Sequence, residues 1–305
     1  MIKKLSLLSV LLSGVFWGSS ALFVSSLMEL GFSSLECTSI RLTLAVPILH
    51  AILIFCGRKN YKINASLLIT FALCGLLSVL TMCICYFYAM ILTSAAVSAV
   101  LLYTAPIFVM VMSVVFFKER FTLKKSSALI LAFIGCALTS GIIGGIKGSL
   151  FGVLIGVLSG LSYSLYSIFS AISLKNGATP LTCTAFSFTF AAIGAQFITS
   201  PISLVQKIVA SPDLPSIIVI LISFSLCTAV IPFILYTVGL ANLKPDVAAI
   251  AASSEPVVAS LVGIFILKQS TDIFQIIGIL LVISAITVLN FNVKKERNKG
   301  EKTAE

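Results

Sequence analysis

Charge is scarce in this sequence. Asp, Glu, Lys and Arg make up 10% of its 305 residues, against about a quarter of a typical soluble domain. A chain with so few charges and 59% hydrophobic residues cannot dress its surface for water, which excludes soluble and disordered classes. Histidine occurs once, so a histidine cluster is excluded, and there is no H-x-x-x-H or H-E-x-x-H pattern. No G-x-x-x-x-G-K-[ST] loop is present, so this chain is not itself an ATPase. The glycine-rich stretch 141–148 (GIIGGIKG) lies between helical runs, not between a strand and a helix, and makes no phosphate cradle. The eight cysteines sit almost wholly inside apolar runs. Cys83 and Cys85 are the only close pair, and i, i+2 side chains leave a helix on different faces. These thiols read as packing residues, with neither a metal site nor a disulfide framework. Nothing calls for a cofactor, and no enzyme constellation is visible.

What fills the chain instead is long apolar runs. They fall at 6–28, 34–56, 66–90, 93–117, 123–141, 149–174, 180–200, 216–240, 244–267 and 272–292. Most are near the ~20 residues a helix needs to cross a bilayer. The first follows Lys3 and Lys4 like a signal peptide, yet it runs for about 23 residues and has no A-x-A site. It reads as a spanning helix. The longest connection, 201–215, holds Pro201, Pro212 and Pro215 and reads as an irregular loop.

A net charge of +10 could suggest nucleic acid, but the positions of the charges argue for topology. Sixteen Lys and Arg fall on one side: the N-terminus, 58–62, 118–125, Lys175, Lys244 and the tail. Three, Lys147, Lys207 and Lys268, fall on the other, and Arg41 lies within a helix. The excess marks the cytoplasmic side, so both termini are expected there, in the cell membrane. The tail, 293–305, is polar and basic and reads as a disordered anchor.

An internal repeat organises the whole. A shift of 150 puts Tyr86 on Tyr236, Pro106 on Pro256 and Lys118 on Lys268. A shift of 146 puts Ser13-Gly14 on Ser159-Gly160, Trp17 on Tyr163 and Gly31 on Gly177. Each half holds five helices. Five is odd, so the second half enters the membrane from the opposite side. The expected fold is an all-α integral membrane protein of ten transmembrane helices in two inverted five-helix repeats, 1–144 and 145–292.

The candidate site lies where the apolar runs are interrupted. Glu255 occupies the middle of 244–267, on a face with Ala248, Ala251, Ala252, Ala259 and Gly263. A carboxylate there costs about 2.5–3.5 kcal/mol on insertion scales, so it calls for a function or a neighbouring helix that bonds it as an acid. Pro106 and Pro256 lie at matching places in the two halves and are expected to bend their helices. Trp17, Tyr103 and Tyr163 lie near mid-depth, where a buried indole or phenol needs a partner. Trp17 shares a face with Ser13, Gly14, Ala21 and Ser25; Tyr163 shares one with Gly156, Ser159, Gly160, Ser167 and Ser170. Such stripes suit tight packing or a wet cavity wall equally. Tyr86 and Tyr236, near helix ends, fit an interfacial belt. Arg41 either snorkels to the surface or faces a ligand. His50 reads as interfacial, and Glu29 and Glu36 as solvated charges.

Taken in order, these motifs resemble the EamA-type branch of the drug/metabolite transporter superfamily. The resemblance rests on Gly14 to Ser19 (GVFWGS), Arg41, Tyr86 to Ala89 (YFYA) and Ala95 to Pro106 (AAVSAVLLYTAP) with Lys118-Glu119-Arg120. In the second half it rests on Tyr236 to Leu240 (YTVGL), Ala251 to Val258 (AASSEPVV) and Gln275 to Gly278 (QIIG), so that it spans 5–291. The second-half partner of Lys118-Glu119 is Lys268-Gln269, which lacks the acid often found there. The resemblance implies a transporter of small metabolites, commonly an exporter, with a cavity between the halves. The reading is a secondary transporter whose midplane site uses Trp17, Tyr103, Tyr163, Glu255 and Arg41, with a small amphipathic or zwitterionic solute and the lipid bilayer as partners and no nucleic acid. Helices one, three, four, six, eight and nine are expected to line it. A membrane-embedded transferase and a structural or receptor protein are the alternatives. Solute, direction, coupling ion and oligomeric state stay open.

Overall fold

The computed structural model describes residues 2–57, 61, 63–140, 149–211, 213–268 and 272–302, with side chains of the last helix as far as 288. Among these residues the regular structure is helical throughout. In chain order the main helices are α1 (Ile2–Glu29), α2 (Ser34–Phe55), α3 (Ala65–Leu92), α4 (Ala95–Phe117), α5 (Leu123–Thr139), α6 (Leu150–Lys175), α7 (Pro180–Ala195), α8 (Leu214–Leu240), α9 (Pro245–Phe265) and α10 (Ile273–Lys302). Seven of them, all but α5, α7 and α10, are long and apolar enough to cross a membrane. The other three fall short by composition or length. α5 has 17 residues and opens with two lysines, α7 has 16 residues, and the apolar part of α10 is Ile273–Val288.

Large apolar side chains lie on the outer surface as well as in the core. On α1, Leu5, Leu8, Leu12 and Val15 are exposed, while Ser6, Ser13 and Gly14 are buried. The spacing i, i+3, i+7, i+10 makes these three leucines and Val15 one stripe. A hydrocarbon surround explains this pattern: lipid tails are as apolar as Leu, so helices gain by approaching through small residues and leaving large ones to the lipid. The chain is a multi-pass membrane protein.

Both halves carry the same irregularities at the offsets read in the sequence. α4 is made of Ala95–Leu102 and Ala105–Phe117, and α9 of Pro245–Ala252 and Ser254–Phe265. α3 contains a π-helical segment Cys74–Leu80, and α8 contains Leu226–Val230. Lys118 and Lys268 are both left-handed, at φ 54° and 55°; so are Gly31 and Gly177, at 85° and 87°. Not every feature is repeated. α1 breaks at Ser19, whereas α6 runs unbroken for 26 residues.

Each half packs on the break of the other. Gly14 of α1 lies against the Ser254 hydroxyl, and a Cβ at Gly18 would come within 2.6 Å of the Glu255 carbonyl. Gly160 of α6 lies against the Thr104 hydroxyl and would place a Cβ 2.6 Å from the Leu101 carbonyl. Gly14 and Gly160 are repeat-related, and so are Ser254 and Thr104. The small-residue stripes of α1 and α6 therefore serve close packing where they carry glycine. α5 and α10 meet in the same way, with a Cβ on Gly135 only 2.8 Å from the Gly278 carbonyl.

Pro106 and Pro256 lie in the first turn of the second half-helix, within a turn after the breaks at Tyr103-Thr104 and Ser253. Their i−4 residues, Leu102 and Ala252, end the first half-helices, which is where a proline removes a bond and crowds a carbonyl. One expectation of the fold needs correction. The 201–215 connection is not wholly irregular, because Pro201 starts a short helix, Pro201–Val209, capped by the Ser200 hydroxyl and anchored by buried Leu204. α10 continues as far as Lys302. Segment 141–148, Arg58, Lys59, Lys62, Pro212 and Gln269 lie outside the described residues.

Candidate functional site

The breaks in α4 and α9 bring backbone and polar side chains to the middle of the bundle. Tyr103 is the C-cap of the first half of α4, and Glu255 lies in the first turn of the second half of α9. Such a helix start presents free N–H groups and a positive dipole end, which suits a carboxylate. Glu255 lies within electrostatic reach of Arg41 and Tyr103. It is half-buried by its protein neighbours, and the surface it keeps faces a cavity.

That cavity has a volume of about 440 Å³. Trp17, Arg41, Tyr103, Tyr163 and Glu255 all line it. A second lobe of about 370 Å³ shares Trp17, Tyr86, Tyr103 and Glu255 and extends along Pro256 to Gln275. A constricted pocket below holds Pro106, Tyr163, Tyr236 and Glu255. The helices expected from the sequence all contribute, and α2 joins them through Cys37, Thr38 and Arg41.

The wall is aromatic on one side. Trp17 meets Phe233 edge-on at 5.0 Å, Tyr236 at 5.6 Å and Tyr163 edge-on at 6.1 Å. Edge-to-face contacts at these separations are each worth about 0.5–1.5 kcal/mol beyond area burial, so the ring cluster is a firm platform. Opposite it stands Arg41, which does not snorkel. Its Nη2 donates to Cys83 Sγ at 3.0 Å, and its buried Nε has no protein partner. Arg41 is thus a fixed positive charge on the cavity wall, which suits an anionic ligand group.

Several residues differ from the sequence expectation. Tyr86 is no interfacial ring but part of the cavity wall. Tyr236 is 2% exposed and bonds Ser167 at 2.7 Å beneath Trp17. Distance from the helix end misleads for both, since Tyr236 is buried and Tyr86 borders the cavity. The repeat held a usable signal, because the two tyrosines coincide at the 150-residue shift. Phe233 and Cys83 offered none. His50 is half-buried, with Nδ1 at 2.8 Å from the Tyr61 hydroxyl and Nε2 at 2.9 Å from Thr189 Oγ1. Glu36 is not merely solvated. It closes a capping box with Ser33 and pairs with Lys207 at 2.8 Å.

Among the described residues the cavity reaches one end of the bundle. Its lining runs from Trp17 out to Met28 and Ser34, at the α1–α2 turn. The other end carries the start of α1, where Asn242 donates to Ser6 at 3.1 Å, and is filled by side chains such as Val109, Ile168 and Ala249.

Comparison with known proteins follows the same division of the chain. The EamA-like transporter family matches it twice, over residues 4–141 and 150–291. An uncharacterized transporter of Archaeoglobus fulgidus is 28% identical over 288 residues, which span 92% of this chain and 94% of that protein. One crystal structure superposes with a TM-score of 0.77 over 95% of this chain and 98% of its own. It shares 16% identity and so speaks for the fold alone.

Proposed function

This chain belongs to the EamA-like transporter family, and from that membership we propose a secondary-active transporter of a small metabolite. The solute is an amino acid or a related amphipathic or zwitterionic compound, exported across the cytoplasmic membrane by alternating access. In this reading the chain is no enzyme. Its ten helices form two inverted halves, 1–144 and 145–292, and both termini are cytoplasmic. The single observation that carries the reading is convergence: Arg41, Glu255 and the rings of Trp17, Tyr103 and Tyr163 line one cavity at matching helix breaks. The contact between Glu119 and Lys244 joins the end of α4 to the start of α9 at 2.8 Å, which supports the inversion.

The chemistry of the cavity fits a zwitterion. Arg41 offers a positive charge for a carboxylate, Glu255 an acceptor for an ammonium group, and the aromatic wall a bed for an apolar side chain. Glu255 also supplies a means of coupling. A carboxylate held from water exists as the neutral acid or as an anion paired with a cation. When a solute ammonium group arrives, the acid gives up its proton and the pair forms; when the solute leaves, a proton returns. That exchange is antiport.

Glu255→Gln keeps the shape and most hydrogen bonds but cannot titrate. In proteoliposomes its uptake is expected to lose dependence on a pH gradient while solute binding persists. Full gradient-driven uptake by the Gln protein would reduce Glu255 to a structural acid bonded across helices. Metabolite profiling of cells with and without the protein identifies the solute to use.

A further inference from the structure

The closed end of the bundle is held by four charged side chains. Glu119 follows α4 and Lys125 lies in the first turn of α5, while Lys244 and Asp246 stand at the start of α9. Lys125 Nζ pairs with Asp246 Oδ2 and with Glu119 Oε2 at 3.3 Å, and Lys244 Nζ reaches the same Glu119 oxygen at 2.8 Å. Two of these three bridges cross from the first half to the second. Lys125 is 8% exposed and Asp246 2%. Asp246 is held in place further, since its Oδ1 accepts from the Val247 N–H at 2.7 Å. An exposed pair of this kind would matter little. The buried Lys125–Asp246 pair resists separation, because each partner pulled away leaves a charge without a counter-ion, while the Lys244–Glu119 pair, its lysine side chain 48% exposed, adds less.

The repeat allows the same four positions to be read at the opposite end. A shift of 150 carries Glu119 to Gln269, Lys125 to Gln275, Lys244 to Ser94 and Asp246 to Ala96. All four are neutral. Ala96 and Gln275 line the open lobe of about 370 Å³. Where the charges stand the bundle is shut, and where they are replaced it is open.

We propose that Glu119, Lys125, Lys244 and Asp246 form an ionic latch that keeps the end bearing the α1 N-terminus closed. Their neutral counterparts give the other end no such group at the matching positions, and the Lys207–Glu36 pair that does cross the halves there is more exposed, at 34% and 21%, so the resting protein is biased toward the state seen here. The inference rests on the alternating-access reading above. For the closed end to admit solute, the Lys125–Asp246 and Lys244–Glu119 contacts must part, because the halves cannot separate while both hold. Loss of one partner then shifts the population toward the opposite-facing state.

The test uses the full chain with a reporter thiol from Ala249→Cys, which lies one turn inside the latch. The protein is treated with a membrane-impermeant maleimide, and each modified cysteine is located by peptide mass spectrometry. Adding Asp246→Asn, or separately Glu119→Gln, is expected to raise modification of the reporter at least fivefold. Asp246→Glu, which keeps the charge, is expected to leave it low. Native Cys74 and Cys183, both 0% exposed, report folding and are expected to stay unmodified throughout. In the reverse experiment Ala96→Asp with Gln275→Lys builds a pair at the open end and is expected to cut modification of cavity-lining Cys83 severalfold. A reporter indifferent to Asp246→Asn and Glu119→Gln in folded protein overturns the latch, as does a Cys83 untouched by the transplanted pair. Reporter changes as stated in a protein that moves no solute would keep the latch and remove the transport reading. Solute flux with no such changes would do the reverse.

Discussion

Arg41 and Trp17 carry the clearest consequences at the scale of single residues. Trp17 is the only tryptophan in the chain and it faces the cavity. Intrinsic fluorescence therefore reports ligand entry without a label. The Arg41 guanidinium bonds Cys83 Sγ and stands as a positive charge on the cavity wall. A hydrogen bond to a charged group is worth about 1.5–3 kcal/mol. Arg41→Gln is accordingly expected to weaken binding of a carboxylate-bearing solute by about 10- to 100-fold, read by titrating Trp17 emission. A matched amine lacking the carboxylate is expected to bind both proteins alike. Equal losses for the two ligands would mean that Arg41 shapes the cavity and does not contact the solute.

Among the helices, the glycine contacts across the halves decide how α1 and α6 sit. Gly14 and Gly160 let one helix rest against the broken backbone of another, where Ser254 and Thr104 leave no room for a side chain. Gly14→Val and Gly160→Val are each expected to destabilise the protein by about 1–3 kcal/mol, the usual cost of overpacking. Thermal unfolding in detergent measures it. Because the two positions are repeat-related, their losses should be similar in size. A neutral Gly14→Val would show that α1 can move off the α9 break. The same contacts bear on the site, since a shift of α1 displaces Trp17 and a shift of α9 displaces Glu255.

For the whole molecule, orientation is the first thing to establish. The charge asymmetry expects reporter fusions at 57–62 and after 292 to read as cytoplasmic, and fusions at 142–148 and 201–212 as external. A cytoplasmic signal from 201–212 would break the ten-helix count. The short helix Pro201–Val209 sharpens that experiment, because exposed Ile202, Val205 and Val209 give it an apolar face without the length to cross. With that orientation the latch lies on the cytoplasmic side and the cavity in this state opens outward.

The sequence by itself determined the membrane class, the two-part organisation and which residue types are exceptional. Those follow from composition and from fixed offsets, which survive in a linear string because a repeat keeps its own register. Pro106 on Pro256 and Tyr86 on Tyr236 are legible without coordinates. Helical periodicity also assigned Glu255 and Trp17 to small-residue faces. It could not say which neighbour each face meets, because a face of a helix inside a bundle is defined by the helix opposite. Gly14 and Ala21 share one face of α1, yet Gly14 is packed against Ser254 and Ala21 borders the cavity. Depth was equally illegible for Tyr236, whose place near a helix end gave no hint of the ring cluster above it. Lys125 and Asp246 are 121 residues apart and each reads alone as an ordinary loop charge. Only folding brings them into contact, where exclusion of water turns two unremarked charges into the bond that closes one end of the protein.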